Sequence, residues 1–189
     1  MKHRVFAALV VAAAVTVSTL IVSGAGAATP DVTANSGQGP GVTPNAKLPE
    51  AIQVLEANNK IVATLRGVGK QVYDCDGGTF KLREPVAELF TSRGAPAGIH
   101  GKGPFWANFD GSHVDGTPDQ SAPSPDQTKN VPWLRVIGKS TPITSGVFGN
   151  VTFIQRIDTR GGVAPAGPCT AKKTVSVDYT ANYVFWASK

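Results

Sequence analysis

The alternation of apolar and polar residues over residues 174–185 constrains the fold more than any other feature of this sequence. Side chains of a β-strand point to opposite faces in turn, so a period of two places every second residue on one face. On one face of this run lie Val175, Val177, Tyr179, Ala181, Tyr183 and Phe185. The run therefore predicts a half-buried antiparallel strand that packs one face on a core.

The same period recurs along the rest of the chain. Gly77 and Gly78 separate two short alternating runs, which is typical of a β-hairpin. A helical period is nearly absent, and only residues 84–90, with Pro85 near the first position, could form a turn or two of helix. The other predicted strands are residues 61–65 (ended by Gly67), 71–75, 79–83, 131–137 and 147–157. We therefore predict an all-β fold, an antiparallel β-sandwich or barrel, as a single domain over residues 48–189.

Residues 1–47 differ in composition from this domain. A basic start precedes an apolar run over residues 5–22, and Ala25-Gly26-Ala27 fits a cleavage site, so residues 1–27 are predicted to be a signal peptide and the protein to be secreted. An uncleaved membrane anchor is the alternative, because the apolar run is just long enough to span a bilayer. Residues 28–47 are poor in large apolar side chains and are predicted to form a flexible, disordered linker.

The charge of the chain argues against a nucleic-acid partner. The chain carries 18 Lys and Arg against 13 Asp and Glu; removing Lys2 and Arg4 with the signal peptide leaves 16 basic residues and a net charge of +3. These basic residues are scattered apart from the pair Lys172-Lys173, so none of them forms the stripe that a phosphate backbone requires. After cleavage, no membrane span is predicted.

The chain has two cysteines, Cys75 and Cys169. In an exported protein an even count of cysteines favours a disulfide, so we predict a bridge between them. Free thiols or metal ligands are the alternative interpretation. There is no C-x-x-C motif, and no histidine lies near Cys75 in the sequence.

Residues 97–114 are the richest part of the domain in groups that could bind a ligand or transfer a proton. The candidate binding residues are His100, Trp106, Asp110 and His113. In one interpretation the two histidines lie on neighbouring strands beside Asp110 or Asp115 and form a metal or acid–base site. The spacing of the histidines fits no standard ligand motif, so no metal and no cofactor is predicted.

A structural interpretation of the same stretch is also open. Gly103-Pro104 and Asp110-Gly111-Ser112 have the composition of hairpin turns. In that case His100 only forms a hydrogen bond to a loop. Residues 115–130, rich in proline, are predicted to be a long loop with the length and polarity of a lid.

The tryptophans raise the possibility of a glycan ligand. Trp106, Trp133 and Trp186 make up the complete set. Trp186 falls on the face of the last strand that carries the polar residues, and it is therefore predicted to be the most exposed tryptophan. An exposed tryptophan on a β surface can stack on a sugar ring.

Several short motifs, in their joint order, resemble a known family. They are YDC (73–75), GIH (98–100), GPFW (103–106), DGSHV (110–114), PWL (132–134), IQRIDTRGG (154–162) and YTANY (179–183). Together they resemble the domain of unknown function 3455, found in exported proteins of bacteria and fungi, over about residues 48–188. The resemblance implies a secreted single domain and brings no established activity or ligand. His113 departs from the family pattern, which weighs against a two-histidine metal site.

These observations favour an exported binding or surface-associated module. Its predicted ligand is a small molecule or an extracellular glycan. The alternative is a secreted hydrolase or metal-dependent enzyme that uses His100 and Asp110. No recognisable nucleophile motif supports the enzyme, since Ser112 lacks the G-x-S-x-G pattern.

Overall fold

The structure, a computed structural model, describes residues 41–140, 145–170 and 172–189. Its described strands form one closed antiparallel barrel in which each strand pairs with the next and the last returns to the first. They are β1 (Asn59–Asp76), β2 (Thr79–Phe90), β3 (Pro96–Gly101), β4 (Phe105–Asn108), β5 (His113–Ala122), β6 (Trp133–Ser140), β7 (Val151–Gly161) and β8 (Thr174–Ser188). The all-β prediction is confirmed, and of its two forms the structure is the barrel. The predicted signal peptide and residues 28–40 of the predicted linker lie outside the described residues.

The interior of the barrel is the main hydrophobic core, and the last strand contributes most to it. The inward face predicted for β8 is confirmed where the strand crosses the barrel, because Tyr179, Ala181, Tyr183 and Phe185 are buried. These side chains meet inward residues of the other strands, namely Ala63, Leu65, Ala87, Leu89, Trp106, Val114, Val136 and Ile154. Burial of this apolar set is the principal stabilising contribution of the fold.

The predicted hairpin after β1 is confirmed. Gly77 and Gly78 join β1 to β2 with φ angles of 59° and 80°, and Asp76 pairs with Thr79 across the turn. A two-residue turn between twisted strands requires positive φ at both positions, which glycine adopts without steric cost.

β1 is a single long strand, so the prediction that Gly67 ends it is wrong. Gly67 does not interrupt the strand; it lies at a point where a side chain of β8 packs closely against the backbone of β1. A Cβ added at Gly67 would lie 2.6 Å from Cε2 of Tyr183, which packs directly on the glycine. Glycine here leaves room for the tyrosine ring inside the barrel.

The prediction of a helical turn over residues 84–90 is also wrong, because these residues belong to β2. Ala87 and Leu89 alternate with exposed Glu88 and point into the core. At Pro85 the strand pairs with β1 alone, since the pairing of β3 reaches only to Ala87. A residue without an N–H is tolerated where one side of the strand has no neighbour.

The first half of the predicted loop over residues 115–130 is strand as well. β5 continues to Ala122 and is paired with β6, with a register shift between Pro118 and Gln120. Because the short β4 reaches only to Asp115, Pro118 has no strand beside it on that edge. The connection that remains is residues 123–132, which reduces the predicted lid to a short loop.

Residues 42–54, here called the strap, cover the part of the outer surface that is formed by β6, β7 and β8. Their apolar side chains pack with Trp133, Ile157, Val184 and Trp186 in a second buried cluster. Trp186 is 2% exposed, so its predicted exposure is wrong. The strap includes residues 42–47 of the predicted flexible linker, whose Asn45 is buried.

A buried glutamine fixes the strap to the barrel. Gln155 donates from Nε2 to Asn45 Oδ1 and to the Ile52 carbonyl, each at 2.8 Å, and accepts a bond from Trp186 Nε1 at 2.8 Å. These bonds satisfy the polar groups that the strap buries. Within the described ranges, no helix is long and apolar enough to cross a bilayer.

The predicted disulfide between Cys75 and Cys169 is confirmed. It joins the end of β1 to the loop between β7 and β8. Two backbone bonds support the same junction, from Cys75 N to the Lys173 carbonyl and from Cys169 N to the Gly78 carbonyl. The disulfide therefore lies at one end of the barrel, here called the mouth, where the β1–β2, β3–β4, β5–β6 and β7–β8 connections meet.

Candidate functional site

His100 and Trp106 meet inside the barrel, as opposite residues of the β3–β4 hairpin. Their rings are stacked with centroids 4.5 Å apart and an interplanar angle of 9°. Tyr183 of β8 contacts both rings, at 5.1 Å from His100 and 5.6 Å from Trp106. The three residues occupy inward-facing positions of β3, β4 and β8, which brings their aromatic rings together.

His100 is neutral around pH 7. Its Nδ1 lies 2.7 Å from the Phe105 carbonyl, an acceptor, so the ring proton is on Nδ1 and Nε2 carries the lone pair. Burial disfavours the imidazolium and lowers the pKa of His100 to about 4; the bond to Phe105 opposes this shift and the positive Arg156 adds to it. His100 is therefore a hydrogen-bonding group rather than a charge at physiological pH.

This burial predicts a loss of stability in acid. In the unfolded chain His100 is protonated near its ordinary pKa of 6.5, whereas in the folded protein its pKa is about 4. The contribution of neutral His100 to the free energy of unfolding is therefore complete above pH 6.5 and is lost as the pH falls through about 4. The free energy of unfolding of the parent minus that of His100→Gln should fall by about 3 kcal/mol over this window. Urea titrations at several pH values measure it.

Both proteins contain the same carboxylates. Subtracting one free energy of unfolding from the other therefore cancels the pH dependence that these carboxylates cause. His113→Gln controls for loss of a histidine from the outer surface. A difference that stays flat from neutral pH to pH 4 would contradict the buried, neutral state of His100.

His113 lies on the outside of the barrel and does not approach His100. It pairs with Ala107, the outward neighbour of Trp106, and stacks on Phe105 with centroids 5.2 Å apart. Its Nε2 is 3.0 Å from Asp115 Oδ1. The barrel wall separates the two histidines, so the structure does not bring together the metal site considered from the sequence.

Asp110 lies in the β4–β5 turn, at the end of β4 opposite the mouth. Its carboxylate accepts bonds from Ser112 N, from Ser112 Oγ and from Val147 N, at 2.8, 2.5 and 2.7 Å. Burial raises the pKa of this carboxyl, but the bonds from Ser112 and Val147 outweigh that effect and lower it. Asp110 thus holds its own turn against the loop before β7, and both predicted hairpin turns of this stretch are present.

Within the residues described, no group of three or more His, Cys, Asp and Glu side chains could hold a metal ion. His100 and Asp110 do not face a common space either. Of the four candidate binding residues, the structure joins only His100 and Trp106.

A cavity of about 230 Å³ lies beside the His100–Trp106 stack at the mouth of the barrel. The β3–β4 hairpin is short, so the wall of the barrel is low between β2 and β5. Most of the lining is apolar and aromatic, including Pro85, Pro104, Trp106, Pro118, Leu134, Val136 and Tyr183. Polar groups enter the same space from His100, Gln71 and Arg156.

The model of the family described as "Protein of unknown function (DUF3455)" matches residues 91–187, about half of the chain. The chain belongs to this family. The matched range begins just before β3 and contains the His100–Trp106 stack, Arg156 and Tyr183, whereas Gln71 and Cys75 precede it. No curated protein and no solved structure matches the chain.

Two polar residues of the cavity in this DUF3455 protein were missed from the sequence. Arg156 follows a register shift between Val151 and Phe153, which reverses the alternation of β7 and turns the arginine inward opposite Tyr183. Gln71 is 1% exposed on the inward face of β1. Its position in an alternating run was the available signal, but a single glutamine in such a run points to no particular chemistry.

Tyr183 of the cavity lining forms a pair with Tyr179 of the same strand. The hydroxyl groups of Tyr179 and Tyr183 are 3.0 Å apart, and burial raises the pKa of both. Both therefore remain protonated and neutral. Arg156 brings a positive charge to this aromatic interior. The other charged residues of the lining, Arg83 and Glu84, lie at the edge of the cavity and form an ion pair with each other at 2.9 Å.

Proposed function

We propose that this DUF3455 protein is an exported binding module that holds a small molecule in the cavity at the mouth of its barrel. The observation that carries the proposal is the cavity itself, in which apolar and aromatic walls surround a few polar groups. That combination is typical of small-molecule sites. The predicted signal peptide and the disulfide support export, because disulfides persist in oxidising compartments.

The volume of the cavity suggests a compact ligand. An engineered apolar cavity of about 150 Å³ binds benzene, and sites for drug-sized ligands start at about 300 Å³. The value of about 230 Å³ falls between these two cases. A ligand with one ring or a branched aliphatic body is the size that fits.

A glycan ligand and an enzyme have weaker support. Each of the three tryptophans is less than a tenth exposed, so none offers the surface platform on which the glycan prediction depended. The enzyme prediction requires His100 and Asp110 to act together, but one faces the barrel interior and the other holds a turn beyond the far end of β4. We therefore favour binding of a small molecule.

Filling the cavity provides the test. Leu134 lines the cavity from β6, and Leu134→Trp should occupy its volume and weaken the binding of small ring-bearing fragments about tenfold or more. Ligand-detected NMR and calorimetry with a library of charged and neutral one-ring compounds measure the affinity.

Ile137→Trp is the matched control, because Ile137 is 47% exposed on the outer face of the same strand. This variant should bind fragments as the parent does. Fragments that bind Leu134→Trp as tightly as the parent, or a library in which nothing binds the parent, would contradict the proposal.

A further inference from the structure

We propose that the ligand of the mouth cavity carries a carboxylate on a compact apolar body, with Arg156 as its anchor. This inference rests on the proposed function and specifies the chemistry of the ligand. It starts from the charges and hydrogen-bond donors around the cavity.

Arg156 enters the cavity without a counter-ion. Its guanidinium is always charged, and among the described residues no carboxylate lies within ion-pair distance of it. Nη2 donates to the Pro132 carbonyl at 2.8 Å, while Nε is buried and has no partner in the described part of the chain. Leaving a buried, charged donor without a hydrogen bond costs free energy, and an anionic acceptor would supply that bond.

The acidic residue of the cavity lining does not neutralise this charge. Glu84, at the edge of the cavity, is 2.9 Å from Nε of Arg83, and the same arginine is 3.3 Å from Asp74. Both carboxylates are thus committed to Arg83. The interior keeps a net positive charge, because His100 and the paired tyrosines are neutral.

Two further buried groups around the cavity are donors without a partner. Trp106 Nε1 and Gln71 Nε2 are buried and find no acceptor among the described residues. Trp106 can only donate. A lining that offers one cation without a counter-ion and further N–H groups, while its carboxylate Glu84 is paired with Arg83, favours a ligand rich in acceptors over a cationic one.

The single charge and the apolar walls narrow the class of anion. One guanidinium balances one negative charge and presents parallel N–H groups that match the two oxygens of a carboxylate. A doubly charged phosphate ester would bring a second charge into aromatic walls without a partner. The apolar walls instead suit a ligand with an aromatic or branched aliphatic body, because they are formed by Trp106, Tyr183, Leu134 and Val136.

Matched pairs of acids and their amides test this chemistry on the unsubstituted protein. Benzoate and benzamide, and isobutyrate and isobutyramide, share shape and differ in charge. We expect each acid to bind about tenfold to 100-fold more tightly than its amide, as measured by calorimetry at neutral pH and low salt. Nε and Nη chemical shifts of Arg156 should move with the acid.

The Arg156→Gln variant should bring the affinity for the acid down to that for the amide and leave the affinity for the amide within about twofold. Arg156→Lys keeps the charge but not the planar fork, so it should fall between them. Arg160→Gln, an exposed position on the same strand, is the control and should change neither affinity.

The comparison of acid and amide needs no variant, so it decides the question even where Arg156→Gln does not fold. Amides that bind as tightly as acids, or a library in which neutral fragments bind and acids do not, would overturn the carboxylate inference and leave the cavity as a binding site. If no compound of either kind binds, the proposed function fails with it.

Discussion

Replacing both Cys75 and Cys169 by alanine is expected to lower the free energy of unfolding by about 4–5 kcal/mol. The bridge spans a sequence separation of 94 residues. Its loss restores to the unfolded chain the conformational freedom that so long a closed loop removes. Urea denaturation of the parent and the double variant, both folded in oxidising conditions, measures the difference.

Reduction of the parent protein is the control that separates the cross-link from the side chains. The parent after reduction should lose about the same free energy as the double variant, because both lack the bridge and only one lacks the sulfur atoms. The backbone bonds of Cys75 and Cys169 to Lys173 and Gly78 are unchanged in either protein. A loss below about 1 kcal/mol in both would show that the bridge does not limit the unfolded chain as the chain-entropy model requires.

The sequence was sufficient to predict an all-β fold and several of its strand segments, but not the way in which the strands close. Alternation identifies an inward face locally, and on β8 it correctly placed Tyr179 and Tyr183 inside. Closure depends on the pairing of β1 with β8, which joins residues 100 or more positions apart. Alternation is the same in a sandwich and in a barrel, so it could not distinguish them.

The errors along the strands have a common physical cause. Gly67 was interpreted as the end of a strand, Pro85 as the start of a helical turn and Pro118 as part of a loop, yet each lies within a strand. Glycine is needed where the Tyr183 ring approaches the backbone, and the prolines occupy places where β2 and β5 extend beyond the short β3–β4 hairpin. Both depend on neighbouring strands, which local sequence does not reveal.

The candidate site was predicted in part, for a related reason. His100 and Trp106 were correctly singled out, and their inward parity brings them together. Simple alternation along residues 147–157 places Arg156 on the polar face of β7, because it takes no account of the register shift between Val151 and Phe153. Trp186 was assigned to solvent, because alternation shows that a strand has a second face but not that the strap covers it.

Trp106→Ala is expected to lower the free energy of unfolding by about 3–5 kcal/mol. The indole is 2% exposed and packs against His100 of β3 and against Tyr183 and Phe185 of β8, so its removal leaves a void among rings held by different strands. A barrel wall held by continuous strand pairing can collapse into such a void only in part. Urea denaturation near neutral pH provides the measurement.

Trp106→Phe distinguishes ring packing from the indole N–H. Because Nε1 of Trp106 has no acceptor among the described residues, losing that group removes no hydrogen bond, and phenylalanine should retain more than half of the stability that alanine loses. Phe109→Ala is the matched control: Phe109 is 67% exposed three residues further along, so its removal should change stability by at most about 0.5 kcal/mol. Equal losses for Trp106→Ala and Trp106→Phe would mean that the N–H has a partner, and would remove one of the donors assigned to the ligand.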